Sequence, residues 1–227
     1  QDLEFLGRVL LRFYQATNLL YRRSSEGREP DWIAHLLDRG KPDSLISAQR
    51  HPALKNELPR VIRPDILLTE DGFSITELDS VPGGIGLTGR LGQIYSEIDP
   101  GTNIVGGANG MTEGFESIFG DAPEVHIMVS EESATYRPEM EWLAAEIDDE
   151  RFRVHDADFT DFHEGDAVYR FFELFDLANV PASEALLAAA LRKDIHLTPP
   201  PKPIMEEKML LALLWNHNLH DYWHREL

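Results

Sequence analysis

Cysteine is absent from this 227-residue chain, which excludes disulfides, thiolate nucleophiles and cysteine-ligated zinc together. That absence fits a reducing compartment, so a cytoplasmic location is expected. Positive charge is scarce: 21 Lys+Arg stand against 40 Asp+Glu, a formal net charge of −19. Such a surplus opposes the counterion release that drives nucleic-acid affinity and repels anionic lipid headgroups, so neither nucleic acid nor a membrane is expected as partner. Long apolar runs are missing too. The longest, Leu186 to Leu191 and Leu210 to Leu214, have the length of helix cores and not of a bilayer span. The first residue is Gln1, followed by an amphipathic pattern and not by a signal sequence, so the chain reads as trimmed at its start.

What is present is the composition of a folded domain, 42% hydrophobic and 27% charged. A chain of this size hides roughly 70% of its surface on folding, enough for one generous core or two small ones. Leu3, Leu6, Leu10, Phe13, Thr17 and Leu20 recur at helical spacing, which predicts an opening helix over residues 2–23. A second helix is expected between Pro30 and Gly40. Two strands, Val61 to Thr69 and Phe73 to Leu78, flank Glu70-Asp71-Gly72 and read as a hairpin. A glycine-rich loop over residues 83–89 then leads into helix. From Pro123 onward strand-like and helix-like segments alternate, as expected of a parallel sheet. Pro199 to Pro203 forms a stiff connector into a helical C-terminal stretch over residues 205–227. The expected class is α/β, divided into a helical N-terminal segment (1–60), the hairpin, glycine loop and following helices (61–120), an α/β unit (121–198) and C-terminal helices (199–227).

The sharpest chemical feature is Glu77-Leu78-Asp79-Ser80, which ends a strand just before the glycine loop. Carboxylates at i and i+2 project from one strand face, and Mg²⁺ commonly takes one or two carboxylates beside substrate phosphates. An edge strand with a solvated acidic end is the plainer reading. Arg63 lies on the partner strand, where its guanidinium either clamps a substrate carboxylate or pairs with a neighbouring acid. A three-residue loop would place position 63 across from 79; a two-residue turn would turn it to the other face. The three-residue loop is the favoured reading.

Gly84, Gly86 and Gly89 match GxGxxG, but the preceding strand belongs to a hairpin and no acid-ended strand follows, so a nicotinamide-dependent oxidoreductase is the lesser reading. His217, His220, Asp221 and His224 share a helical face, where zinc competes with an ordinary solvated surface. Tyr169-Arg170 ends an apolar strand, and Lys208 lies in the first turn of the C-terminal helix. Each is ambiguous alone.

In order, Arg63-Pro64-Asp65, Glu77-Leu78-Asp79-Ser80, Pro82-Gly83-Gly84, Tyr169-Arg170, Pro199-Pro200 and Lys208 resemble the circularly permuted ATP-grasp ligases. These comprise the eukaryotic-type glutathione synthases and the glutathionylspermidine-synthase-like proteins. The resemblance spans roughly residues 60–215 and is most specific over 63–90. It implies ATP- and Mg²⁺-dependent joining of a carboxylate to an amine through an acyl phosphate, with a small amino-acid, peptide or polyamine substrate. It also implies a pre-ATP-grasp, Rossmann-like substrate domain. By the same resemblance Arg63, Ser80, Gly83, Gly84, Tyr169 and Arg170 contact substrate, Glu77 and Asp79 hold Mg²⁺, and Lys208 reaches the ATP phosphates. Asp79 departs from the asparagine usual there. The rest of the family's ATP-grasp core has no counterpart before Leu227, so this portion is expected to be inactive alone. A non-catalytic binding or regulatory module on the same fold is the alternative from another class.

Overall fold

A computed structural model describes residues 2–227 and gives, in chain order, α1 (Asp2–Ser25), α2 (Asp31–Asp38), α3 (Asp43–Arg50), β1 (Arg63–Thr69), β2 (Gly72–Asp79), α4 (Ile85–Ile98) and α5 (Gly110–Ser117). There follow β3 (Val125–Val129), α6 (Arg137–Ile147), β4 (Phe152–Asp156), β5 (Ala167–Phe171), α7 (Ser183–Arg192), β6 (His196–Thr198), α8 (Met209–Leu214) and α9 (His220–Glu226). The chain is α/β, with an antiparallel hairpin and a parallel four-stranded sheet. No helix among the described residues is long and apolar enough to cross a membrane.

The chain forms two compact units that cut across the sequential segments. The first gathers residues 1–59, 64–78 and 200–227; the second, residues 60–63 and 79–199. In the first, Leu10, Phe13, Thr17 and Leu20 of α1 are buried as the periodicity predicts, while Leu3 stays 59% exposed. Phe13 stacks on Trp223 with ring centroids 5.8 Å apart, and the Tyr222 hydroxyl donates to the Ala16 carbonyl at 2.5 Å. The expected C-terminal helix is broken: a 3-10 turn over His217–Leu219 separates α8 from α9, and the Asn216 side chain accepts from the Asn218 N–H. Asn is a favoured capping residue, so it restarts the helix there. The helix α3, which carries Asp43 in its first turn and Arg50 in its last, completes the helical N-terminal third; acid first and base last suit the helix dipole.

The second unit is built on the sheet of order β4-β3-β5-β6, all parallel. In-register pairing sets Ile127 beside Val154 and Tyr169, and Tyr169 beside Thr198. Side chains alternate along each strand. Val125, Ile127, Val129, Tyr169 and Phe171 enter one core with Phe115 and Phe119, and with Met140 and Leu143 of α6. His126, Met128, Val168 and Arg170 therefore point to the opposite face. The run of fully buried positions in β3 and β5 is what a parallel sheet covered on both faces requires.

Candidate functional site

The second unit collects Arg63, Asp79, Ser80, Gly83, Gly84, Tyr169 and Arg170. Arg63 meets Asp79 at 3.3 Å and donates to the Gly83 carbonyl at 3.1 Å. The two side chains thus meet, but the loop is not the three-residue one expected: β1 ends at Thr69 and β2 already begins at Gly72, so Glu70 and Asp71 alone form the turn. Gly72 begins β2 with φ 141°, a conformation side chains oppose. Asp79 Oδ1 also accepts the Val81 N–H at 2.8 Å, which turns the chain sharply after the strand, and Ser80 is buried in that turn.

The glycine segment serves packing. The chain enters α4 through Gly84 at φ 86°, the left-handed region glycine favours. The Gly84 N–H donates to Glu139 Oε1 at 2.7 Å and the Leu87 N–H to Oε2 at 3.2 Å. A protein carboxylate thereby takes the N–H groups that a phosphate would need. A side chain at Gly86 would run into the Glu139 backbone carbonyl, and one at Gly89 into the Trp142 ring. These glycines bring α4 close to α6, so the GxGxxG spacing here does not form a dinucleotide cradle. Gly83 is constrained by a side chain and not by backbone: a Cβ there would lie 2.7 Å from Tyr136 Cε1. Tyr136 in turn packs edge-on against Phe171, ring centroids 5.6 Å apart. Tyr136 follows β3 and Phe171 ends β5, so the Asp79–Gly84 loop lies at the carboxyl ends of parallel strands, where α/β sheets bind ligands.

Tyr169 is fully buried, and among the described residues its hydroxyl has no hydrogen-bond partner. Burial raises its pKa, and the charges of Asp79 and Glu139 push the same way, so the phenol stays protonated and able to donate. Arg170 is also fully buried, but its Nε donates to the Pro199 carbonyl at 2.8 Å and Nη1 to the Phe172 carbonyl at 2.7 Å. Its visible work is to tie backbone together.

Glu77 and Lys208 belong to the first unit, where they form an ion pair at 2.8 Å. Each proposed metal carboxylate therefore answers a basic side chain, Glu77 to Lys208 and Asp79 to Arg63. Among the described residues no group of three or more His, Asp or Glu is placed to hold a metal. The donor set as it stands does not fit a magnesium ion. The histidines near the C-terminus do not converge on one either: His220 lies 3.5 Å from Asp221 and against the His224 ring, on an exposed surface.

Glu139 and Tyr136 do not stand out in the sequence, because each acts on residues about 50 positions earlier. A second unannounced constellation lies on the far face of the sheet. Buried Asp166 Oδ2 lies 3.1 Å from His126 Nε2 and accepts the His163 N–H at 2.7 Å, while His126 Nδ1 lies 3.1 Å from His155 Nε2. Phe159 stacks on His155 at 3.7 Å between centroids. The signal available was His126 within an otherwise apolar strand.

Compared with known proteins, the chain matches no family model and no curated protein.

Proposed function

We propose that this chain binds a small zwitterionic amino acid or peptide, as the substrate-binding portion of an ATP-dependent carboxylate–amine ligase of the ATP-grasp type. The observation that carries the reading is the grouping around the Asp79–Gly84 loop. Arg63 supplies a guanidinium for a carboxylate, Asp79 and Glu139 supply negative charge suited to an ammonium group, and the Tyr169 phenol is buried without a partner. A buried donor left unpaired costs about 1–3 kcal/mol, a cost that a ligand oxygen removes. The parallel sheet supports a pre-ATP-grasp substrate domain, and the order of motifs over residues 63–208 supports the ligase class. ATP and Mg²⁺ enter as that class's cofactors, and no step is routed through them.

The ion pairs that already occupy Glu77 and Asp79 favour a second reading, a binding module that turns over no nucleotide. The test pairs two assays. Glutathione and free glutamate should raise the melting temperature, and both Arg63→Ala and Tyr169→Phe should reduce the rise. Unchanged rises in both variants would remove the site. Amine-dependent ADP release by the native full-length protein then separates ligase from binding module: release supports the first, and binding without release the second.

A further inference from the structure

The first unit contains an apolar groove of about 640 Å³, formed by one face of α1, strand β2 and the end of α8. This volume lies in the range of small-molecule sites. None of the expected site residues lines the groove. Phe5 is 60% exposed, Phe73 48% and Trp215 82%, and all three line it. Aromatic side chains gathered in a water-facing concavity mark a binding site more often than a bare surface.

Charge narrows the occupant. In a chain whose acids outnumber its bases 40 to 21, the charged side chains lining the groove are Arg8 and Arg12, with no acid among the described lining residues. Arg12 is held by its Nε, which donates to the Glu226 carbonyl at 2.6 Å, and Arg8 lies 3.9 Å from Glu4 with both side chains largely in solvent. A pair of guanidiniums beside an apolar trough suits a ligand with an anionic head and a hydrocarbon body. Two whole chains of net charge −19 repel one another, and an anionic membrane repels the chain likewise, whereas a single carboxylate meets far less of that repulsion and is drawn to the two arginines. A concave trough also accepts a single chain more readily than a flat partner face. We propose that this groove binds a free long-chain carboxylate, the alkyl chain lying along Phe5, Phe73 and Trp215 and the carboxylate set against Arg8 and Arg12.

Monomeric dodecanoate is the probe, followed by calorimetry and by tryptophan emission. Saturable binding of one dodecanoate per chain is expected, with a change in emission that Trp215→Phe abolishes while the heat persists. The double variant Arg8→Gln/Arg12→Gln should weaken dodecanoate at least about fivefold. Dodecyltrimethylammonium should bind the wild type more weakly than dodecanoate and lose nothing in the variant. Four results would each overturn the proposal. They are no saturable heat, equal binding of the two amphiphiles, binding only to phosphatidylglycerol vesicles, or a concentration-dependent dimer in sedimentation that excludes dodecanoate.

Discussion

Lys202 is 1% exposed, yet no carboxylate lies within ion-pair distance of it among the described residues. Its ammonium donates to Asn18 Oδ1 at 2.8 Å and to the Glu57 carbonyl at 2.8 Å, with the Lys55 carbonyl at 3.5 Å. Burial pulls its pKa down to about 8; the Glu57 carboxylate works the other way and Arg22 adds to the fall. Lys202→Met makes the consequence measurable. Between the folded pKa near 8 and the unfolded value of 10.5, the unfolded chain binds more protons, so stability rises with pH. The linkage integral puts the penalty at about 3 kcal/mol at about pH 8 and at about half that at about pH 9.5. Wild type should therefore gain about 1–2 kcal/mol over that interval relative to Lys202→Met. The absolute effect of the substitution is less informative. Orphaning the oxygens costs about 1–3 kcal/mol, and removing a buried charge returns a similar amount. Tyrosines whose folded pKa is raised, such as Tyr21 and Tyr222, destabilise the fold at still higher pH, but they act equally on both proteins and cancel in the difference. Urea unfolding of the two proteins at the two pH values is the assay. Parallel stabilities would show that Lys202 is not held as a desolvated cation, and the reasoning would fall.

Gly86→Ala should destabilise the second unit by at least about 1–3 kcal/mol, because the added methyl meets the Glu139 backbone carbonyl, which cannot move independently of α6. Gly114→Ala, with open space at its Cβ, is the control; equal melting temperatures for the two would refute close α4–α6 packing. His155 has its pKa lowered, first by burial and then by His126, Arg153 and Arg137, with Asp156 opposing. The folded value lies below the unfolded one, so the unfolded chain takes up its proton first as pH falls below about 6.5 and stability is lost from there downward. Chemical unfolding between about pH 7 and about pH 5.5 should show that loss in wild type and a smaller one in His155→Gln; identical slopes would contradict it.

The elements legible in the sequence were those whose pattern is local. Helix α1 showed in its apolar spacing, the hairpin in the Glu70-Asp71-Gly72 turn, and β3 and β5 in short apolar runs between turn signals. The start of α4 was blurred because glycines that read as loop are helical from Ile85 onward. Their local propensity is outweighed by the close approach to α6, and nothing near residues 84–89 encodes that contact. The break between α8 and α9 was hidden for a related reason: the leucines and aromatics over 205–227 keep a helical spacing across the Asn216 turn. For the site, the sequence named residue types and the one partner supplied by the hairpin, and missed the distant ones. The neighbours that decide the roles of Asp79, Gly84 and Glu77 are Arg63, Glu139 and Lys208. Arg63, 16 positions from Asp79, was within reach of hairpin reasoning; Glu139 and Lys208 lie 55 and 131 positions from Gly84 and Glu77, distances at which spacing carries no information.

The two arginines expected at the substrate differ in what it takes to free them, and that difference ranks their roles. Arg63 and Asp79 are 44% and 26% exposed at their side chains, and an ion pair that open to water contributes about 0–1 kcal/mol. A ligand carboxylate that replaces Asp79 at the guanidinium therefore gives up little, and the displaced Asp79 is left facing whatever cationic group the ligand carries. Arg170 has 0% exposure, with Nε and Nη1 spent on the carbonyls of Pro199 and Phe172. Turning it toward a ligand would strand a buried charge and both acceptors, a loss of roughly 3–5 kcal/mol. On the proposed function, the guanidinium assigned to the substrate carboxylate is therefore that of Arg63. Arg170 fixes the end of β5, and through it the position of the Tyr169 phenol one residue earlier.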